Sequence, residues 1–158
     1  MKISPLKNLG TYVFTLLLIA GLLSCKKDKD DPTPGGANGV EGSWKVTAIT
    51  FTPAVNGVTD ALAFYEAMSG NKCISQTVFI FKGNGTVDAN VPAGCTLDDS
   101  PVVSDESTWK VNDNKIEFIE GGDVTPFDLE VNKNEMKWST QETEDGVTYK
   151  MTFVFKRV

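Results

Sequence analysis

Three cysteines and no histidine set the chemistry open to this 158-residue chain. Cys73 and Cys95 each lie 11 positions from Asn84, the centre of the Gly83-Asn84-Gly85 turn. A hairpin folded about that turn sets the two thiols opposite one another, and opposed residues of an antiparallel pair have Cα atoms about 4.5 to 5.5 Å apart, within disulfide reach. Two thiols with no imidazole to complete the set make a poor zinc site, so a metal is the weaker reading. The absence of histidine removes Ser-His and Cys-His nucleophile systems, along with the commonest general base near neutral pH. Lys82-Gly83-Asn84-Gly85-Thr86 reads as a hairpin turn, not as a phosphate-cradling loop. Asp98-Asp99 and Asp105-Glu106 flank Pro101 and offer the oxygen ligands that calcium takes. Their spacing fits no EF-hand loop, so they read as solvated loop charge. Glycoside hydrolysis needs a converging pair of carboxylates, and nothing in the sequence selects one. The expectation is a non-enzymatic protein without metal or cofactor.

The third thiol, Cys25, ends an apolar leader. Lys2 and Lys7 precede an apolar stretch over 12–23 that is broken only by Thr15 and Gly21. This is the layout of a secretory signal, and it is shorter than the roughly 20 apolar residues a membrane span requires. Leu22-Leu23-Ser24-Cys25 resembles the lipobox of bacterial lipoproteins, with Leu23 matching the relaxed form found in the Bacteroidota. The resemblance implies cleavage before Cys25, acylation of its sulfur, and a lipid bilayer as partner. A buried methylene contributes about 0.8 kcal/mol, and two or three acyl chains are needed for a stable hold. An ordinary signal peptide cut nearby is the competing reading. Residues 25–40 read as a flexible tether, charged at Lys26-Lys27-Asp28-Lys29-Asp30-Asp31 and then rich in proline and glycine. Its charged start resembles acidic export signals of Bacteroidota lipoproteins; a plain spacer serves equally well. Localisation is therefore expected in the cell envelope, lipid-anchored at the outer membrane, with either face open.

Export also places Cys73 and Cys95 in an oxidising compartment, where closing their loop stabilises by about 3 kcal/mol in the chain-entropy model. Removing Lys2 and Lys7 with the leader takes the net charge from −6 to −8. That balance argues against nucleic acid and against a polybasic hold on anionic lipid.

What must position these groups is one domain over 41–158. Its hydrophobic pattern is mostly period two: Tyr149, Met151, Phe153 and Phe155 share one face of a strand, with Val154 the exception. Similar runs cover 43–51, 74–81, 86–91, 108–111, 115–120, 126–131 and 135–140. Turn residues at 83–85, 112–114, 121–122, 132–134 and 144–146 join them as an antiparallel up-and-down meander. Closure into a barrel of about eight strands removes the exposed edges. A helix is expected over 59–69, with Thr59 as N-cap, Ala61, Phe64, Tyr65 and Met68 as its apolar stripe, and Gly70 past its end.

Gly42-Ser43-Trp44 on the first strand is similar to the Gly-x-Trp that opens lipocalin barrels. The chain also resembles small lipocalin-like lipoproteins of the Bacteroidota in Phe79-Ile80-Phe81, the Gly-Asn-Gly-Thr turn, Ser107-Thr108-Trp109 and the closing run over 152–157. The resemblance implies an all-β, lipocalin-like barrel plugged at one end by Trp44. Arg157, in phase with Phe155, then packs over the plug in a cation–π contact of roughly 0.5 to 2 kcal/mol. It also implies a binding module for an apolar or amphipathic small molecule, with Trp109, Phe118, Trp138 and Tyr149 as candidate cavity lining. Eight strands leave room for filling side chains or for one ligand. The alternative is a solid-core interaction protein that uses the loops over 53–60 and 91–106.

Overall fold

The computed structural model describes residues 39–97, 101–103, 107–144 and 146–158. The leader, Cys25, the tether to residue 38 and the acidic pairs Asp98-Asp99 and Asp105-Glu106 lie outside the described residues. The described chain runs β1 (Gly42–Val55), β2 (Val58–Asp60), α1 (Ala61–Ser69), α2 (Cys73–Gln76), β3 (Val78–Phe81), β4 (Val87–Asn90), β5 (Thr108–Asn112), β6 (Lys115–Glu120), β7 (Asp123–Val131), β8 (Glu135–Glu144) and β9 (Val147–Arg157).

The strands pair in the order β4-β3-β1-β9-β8-β7-β6-β5, with short β2 beside β1. Every pairing is antiparallel. The two ends of that order meet at Thr86 and Thr108. There the Trp109 amide donates to the Gly85 carbonyl at 2.7 Å and the Val87 amide to the Ser107 carbonyl at 3.2 Å. The meander thus nearly closes into an eight-stranded lipocalin-like barrel, the architecture expected from the alternation.

Alternation also selects the core. Phe153 and Phe155 on β9, Met136 and Trp138 on β8, Ile116 and Phe118 on β6, and Phe79 and Phe81 on β3 are all buried. On β1 the buried series changes phase, from Trp44 and Val46 to Ile49. A bulge between Val46 and Ala48 in the pairing with β9 supplies the extra residue, Thr47, whose hydroxyl donates to the Val154 carbonyl at 3.3 Å. Val154, out of phase in the sequence, lies on the less buried face of β9.

Three local readings are corrected. The helix starts at Ala61, because the Asp60 carboxylate accepts from the Ala63 amide at 3.0 Å and takes the cap, while Thr59 belongs to β2. Of the expected stripe, Ala61 is buried and Tyr65 packs against the core, whereas Phe64 and Met68 are exposed and Leu62 is buried in their place. The strand expected over 74–81 shortens to Val78–Phe81, and Cys73–Gln76 forms a helical turn closed by the Thr77 hydroxyl on the Cys73 carbonyl at 2.8 Å.

The wall is not uniform along the barrel axis. At the lower end, where β1 begins and β9 ends, the ladders from β4 through β1 and β9 to β5 are all present, and a single bridge joins β4 to β5. Towards the upper end the wall splays. The β1–β3 ladder covers only Gly42 to Trp44, and α1 and α2 follow where β3 is lost. The β7–β8 ladder stops at Asp128↔Ser139 although both strands continue. Residues 123–127 of β7 then pair only with β6, and residues 140–144 of β8 only with β9.

Candidate binding site at the barrel rim

The lower end is a closed floor. Trp44 is fully buried and donates its indole N–H to the Val40 carbonyl at 2.7 Å. The Arg157 guanidinium lies over the Trp44 ring, with Cζ 4.0 Å from the centroid. It also donates to three carbonyls: Nη2 to Gly39 at 2.6 Å, Nη1 to Glu41 at 2.8 Å and Nε to Lys133 at 2.9 Å. One side chain thereby ties the entering chain, the β7–β8 turn and the last strand together. Burial lowers the Arg157 pKa from its ordinary value. Gly42 makes the geometry possible, since its φ is +128° and a Cβ there would lie 2.3 Å from Arg157 Nη1.

Above the floor the interior is packed. Trp138 and Phe155 rings lie 4.2 Å apart between centroids, Trp138 and Phe118 4.8 Å, and Phe81 reaches Trp109 at 5.7 Å. Trp109, Phe118 and Trp138, expected to line a cavity, are instead buried core that fills the barrel with ring-on-ring contacts. Trp109 spends its N–H on the Thr86 carbonyl at 3.2 Å, reinforcing the closing seam. The Trp138 N–H is buried without a partner among the described residues. Tyr149 stands apart from this cluster. It packs edge-on against Phe51 at 5.6 Å and donates to Glu142 at 3.0 Å, a bond that, with burial, raises its pKa. It lines a recess of about 180 Å³ with Val55, Asn56, Glu144 and Val147.

The larger recess is at the upper rim, beside α1. It has a volume of about 440 Å³ and is lined by Tyr65, Met68, Ile74, Asn71 and the Cys73–Cys95 disulfide. The disulfide is present, with Cα atoms 5.6 Å apart. The β3–β4 ladder keeps the register centred on Asn84, from Phe81↔Val87 to Val78↔Asn90. Beyond it the strands give way to α2 on one side and a turn on the other, and the disulfide holds those two together as the groove wall. Met68 is 72 % exposed and Phe64 46 % exposed on the same helix. The sequence placed Tyr65 and Met68 in the apolar stripe of the helix and Gly94 and Thr96 in the loop over 91–106, whereas Asn71 was not singled out and Ile74 was expected to open a strand. The available signal was a cysteine four positions after a helix whose apolar residues outnumber what one buried face can take.

Charge divides the ends as well. The lower half carries the ion pairs Lys82–Asp88 at 2.5 Å, Lys110–Glu117 at 2.9 Å and Lys115–Asp128 at 2.6 Å. Among the described residues at the rim, the carboxylates Asp60, Glu66, Glu120, Asp123, Glu142 and Glu144 outnumber Lys72 and Lys150. Among the described residues no three metal-ligating side chains gather into a cluster.

An eight-stranded meander, plugged at one end by Trp44 under Arg157 and recessed at the other, defines a lipocalin-like barrel. The model of the lipocalin-like domain family matches residues 40–138, most of the chain, and the protein belongs to that family. The match begins at the floor and ends inside β8, so β9 with Arg157 lies beyond it. No curated protein and no solved structure shows significant similarity to the chain.

Proposed function

We propose that this protein is a non-enzymatic binding lipoprotein of the cell envelope. It is held at the outer membrane through acylated Cys25 and takes an apolar or amphipathic small molecule in the rim groove beside α1. The observation that carries this reading is the contrast between a filled interior and an open recess of about 440 Å³ whose wall includes Tyr65, Met68 and Ile74. Recesses of a few hundred Å³ with apolar walls and few polar groups are the usual form of a small-molecule site. The chain enters the barrel at the floor, the end opposite the groove. A second reading, a solid-core protein that docks a partner through the rim loops, is favoured by the exposure of Phe64 and Met68.

Titration of the purified full chain with the neutral fluorophore N-phenyl-1-naphthylamine tests the site. Saturable binding that weakens about tenfold in Met68→Asp supports the groove, an effect equivalent to 1.4 kcal/mol. Absence of binding, or binding indifferent to Met68→Asp, shifts the function to the rim loops. For the anchor, Cys25→Ser is expected to move the protein from the membrane fraction to the soluble fraction, and an unchanged distribution would refute acylation.

A further inference from the structure

We propose that the cleft between the upper halves of β7 and β8 receives an extended, basic polypeptide segment, which adds as a strand to the free edge of β8. The cleft is a property of the backbone. The two strands pair from Val131↔Met136 to Asp128↔Ser139, and then each runs on without the other. Residues 140–144 of β8 remain fully laddered to β9, from Thr140↔Met151 to Glu144↔Val147, so their strand conformation is held while their other edge has no strand partner among the described residues. An edge of this kind is a template for strand addition, in which main-chain hydrogen bonds give affinity and alternate side chains give specificity. β7 is the poorer template, because Pro126 has no amide hydrogen to donate.

Charge chooses the occupant. Glu142 and Glu144 stand on the free edge and Asp123 opens β7 across the cleft, all on the face that carries Trp138 and Leu129, while Val124, 51 % exposed, offers apolar contact on the opposite face. A second copy of the chain pairing edge to edge would set these glutamates against their own counterparts, which is destabilising. An incoming segment that alternates lysine with a β-branched residue sets its ammonium groups on the carboxylate face and its apolar side chains on the face that carries Val124.

This site is separate from the rim groove and does not depend on it. The test uses the full chain and a fluorescein-labelled nine-residue peptide of alternating lysine and valine, read by anisotropy. Two control peptides accompany it: one with glutamate for lysine, and one with alternate backbone amides N-methylated. Binding of the lysine peptide is expected, at least tenfold weaker after N-methylation and at least tenfold weaker in the Glu142→Gln, Glu144→Gln double variant. Hydrogen exchange is expected to slow at residues 140–144, and saturating N-phenyl-1-naphthylamine to leave the peptide affinity unchanged. Equal affinity for the N-methylated peptide, protection confined to α1, or no binding of the lysine peptide would each overturn the proposal.

Discussion

Floor and rim are two ends of the same strands, yet they are built to opposite rules. At the floor, β1 is paired on both sides, to β3 and to β9, Val40 and Trp44 are fully buried, and the Arg157 guanidinium is committed to three carbonyls and a ring. At the rim, ladders end early, Phe64 and Met68 lie exposed, and carboxylates gather with little compensating charge. The comparison teaches that burial and satisfied hydrogen bonds, which fix a single conformation, are concentrated where the chain enters. Exposed apolar surface and free backbone edge, which cost stability and serve recognition, are concentrated at the other end.

The contrast breaks most visibly if the floor is opened. Replacing Trp44 with alanine is expected to cost about 3 to 5 kcal/mol, since it removes a fully buried aromatic side chain and leaves Arg157 without its ring and Val40 without its donor. The urea midpoint read by far-ultraviolet circular dichroism gives the measurement. A loss below about 1 kcal/mol would mean that the floor is not the stabilising end.

The disulfide is the intermediate case, because it staples the rim with a covalent bond where pairing has run out. The Cys73→Ser, Cys95→Ser double variant is expected to lose about 3 kcal/mol, the chain-entropy value for a cross-link spanning 22 positions. It is also expected to weaken N-phenyl-1-naphthylamine binding, because the bond forms part of the groove wall. A variant of unchanged stability and unchanged probe affinity would separate the disulfide from both roles.

How far the sequence reached follows the same division. The floor was legible: Gly42-Ser43-Trp44 and an in-phase Arg157 are enough to place the plug, because strict alternation along β9 carries the argument from Tyr149 to the last residues. The register around Asn84 was legible too, since a two-sided count from one turn fixes which residues oppose. Helix and groove were not. Asp60 and Thr59 are both acceptable caps, and only the Ala63 amide on Asp60 decides between them. Aromatic residues in phase with a strand look the same whether they fill a barrel or line one, so Trp109, Phe118 and Trp138 were assigned to a cavity that their mutual packing occupies. The bulge at Thr47 leaves a periodic trace in the shift from Trp44 and Val46 to Ile49, whereas the divergence of β7 from β8 leaves none, because each of those strands keeps its own alternation while its partner changes.

At the rim itself, substitution should barely register in stability. Met68 is 72 % exposed, so Met68→Asp is expected to change folding free energy by no more than about 0.5 kcal/mol while it weakens binding in the groove. A large loss of stability would make Met68 a packing residue and remove the distinction between recognition at the rim and support at the floor.

The smallest effect belongs to acid. Lys110 holds the Glu117 carboxyl below its ordinary pKa, chiefly through a side-chain hydrogen bond, and Lys115 does the same for Asp128. A carboxyl whose folded pKa is depressed contributes stability that is present above its unfolded pKa and lost as pH falls through the folded value. Lys110 and both members of the Lys115–Asp128 pair are more than half exposed, so screening keeps that contribution small. Melting temperature is therefore expected to be flat from neutral pH down to the ordinary carboxylate range and to fall only slightly below it, with the Lys110→Gln, Lys115→Gln variant showing less of the fall. With no histidine in the chain, no imidazole supplies a transition between pH 5 and 8.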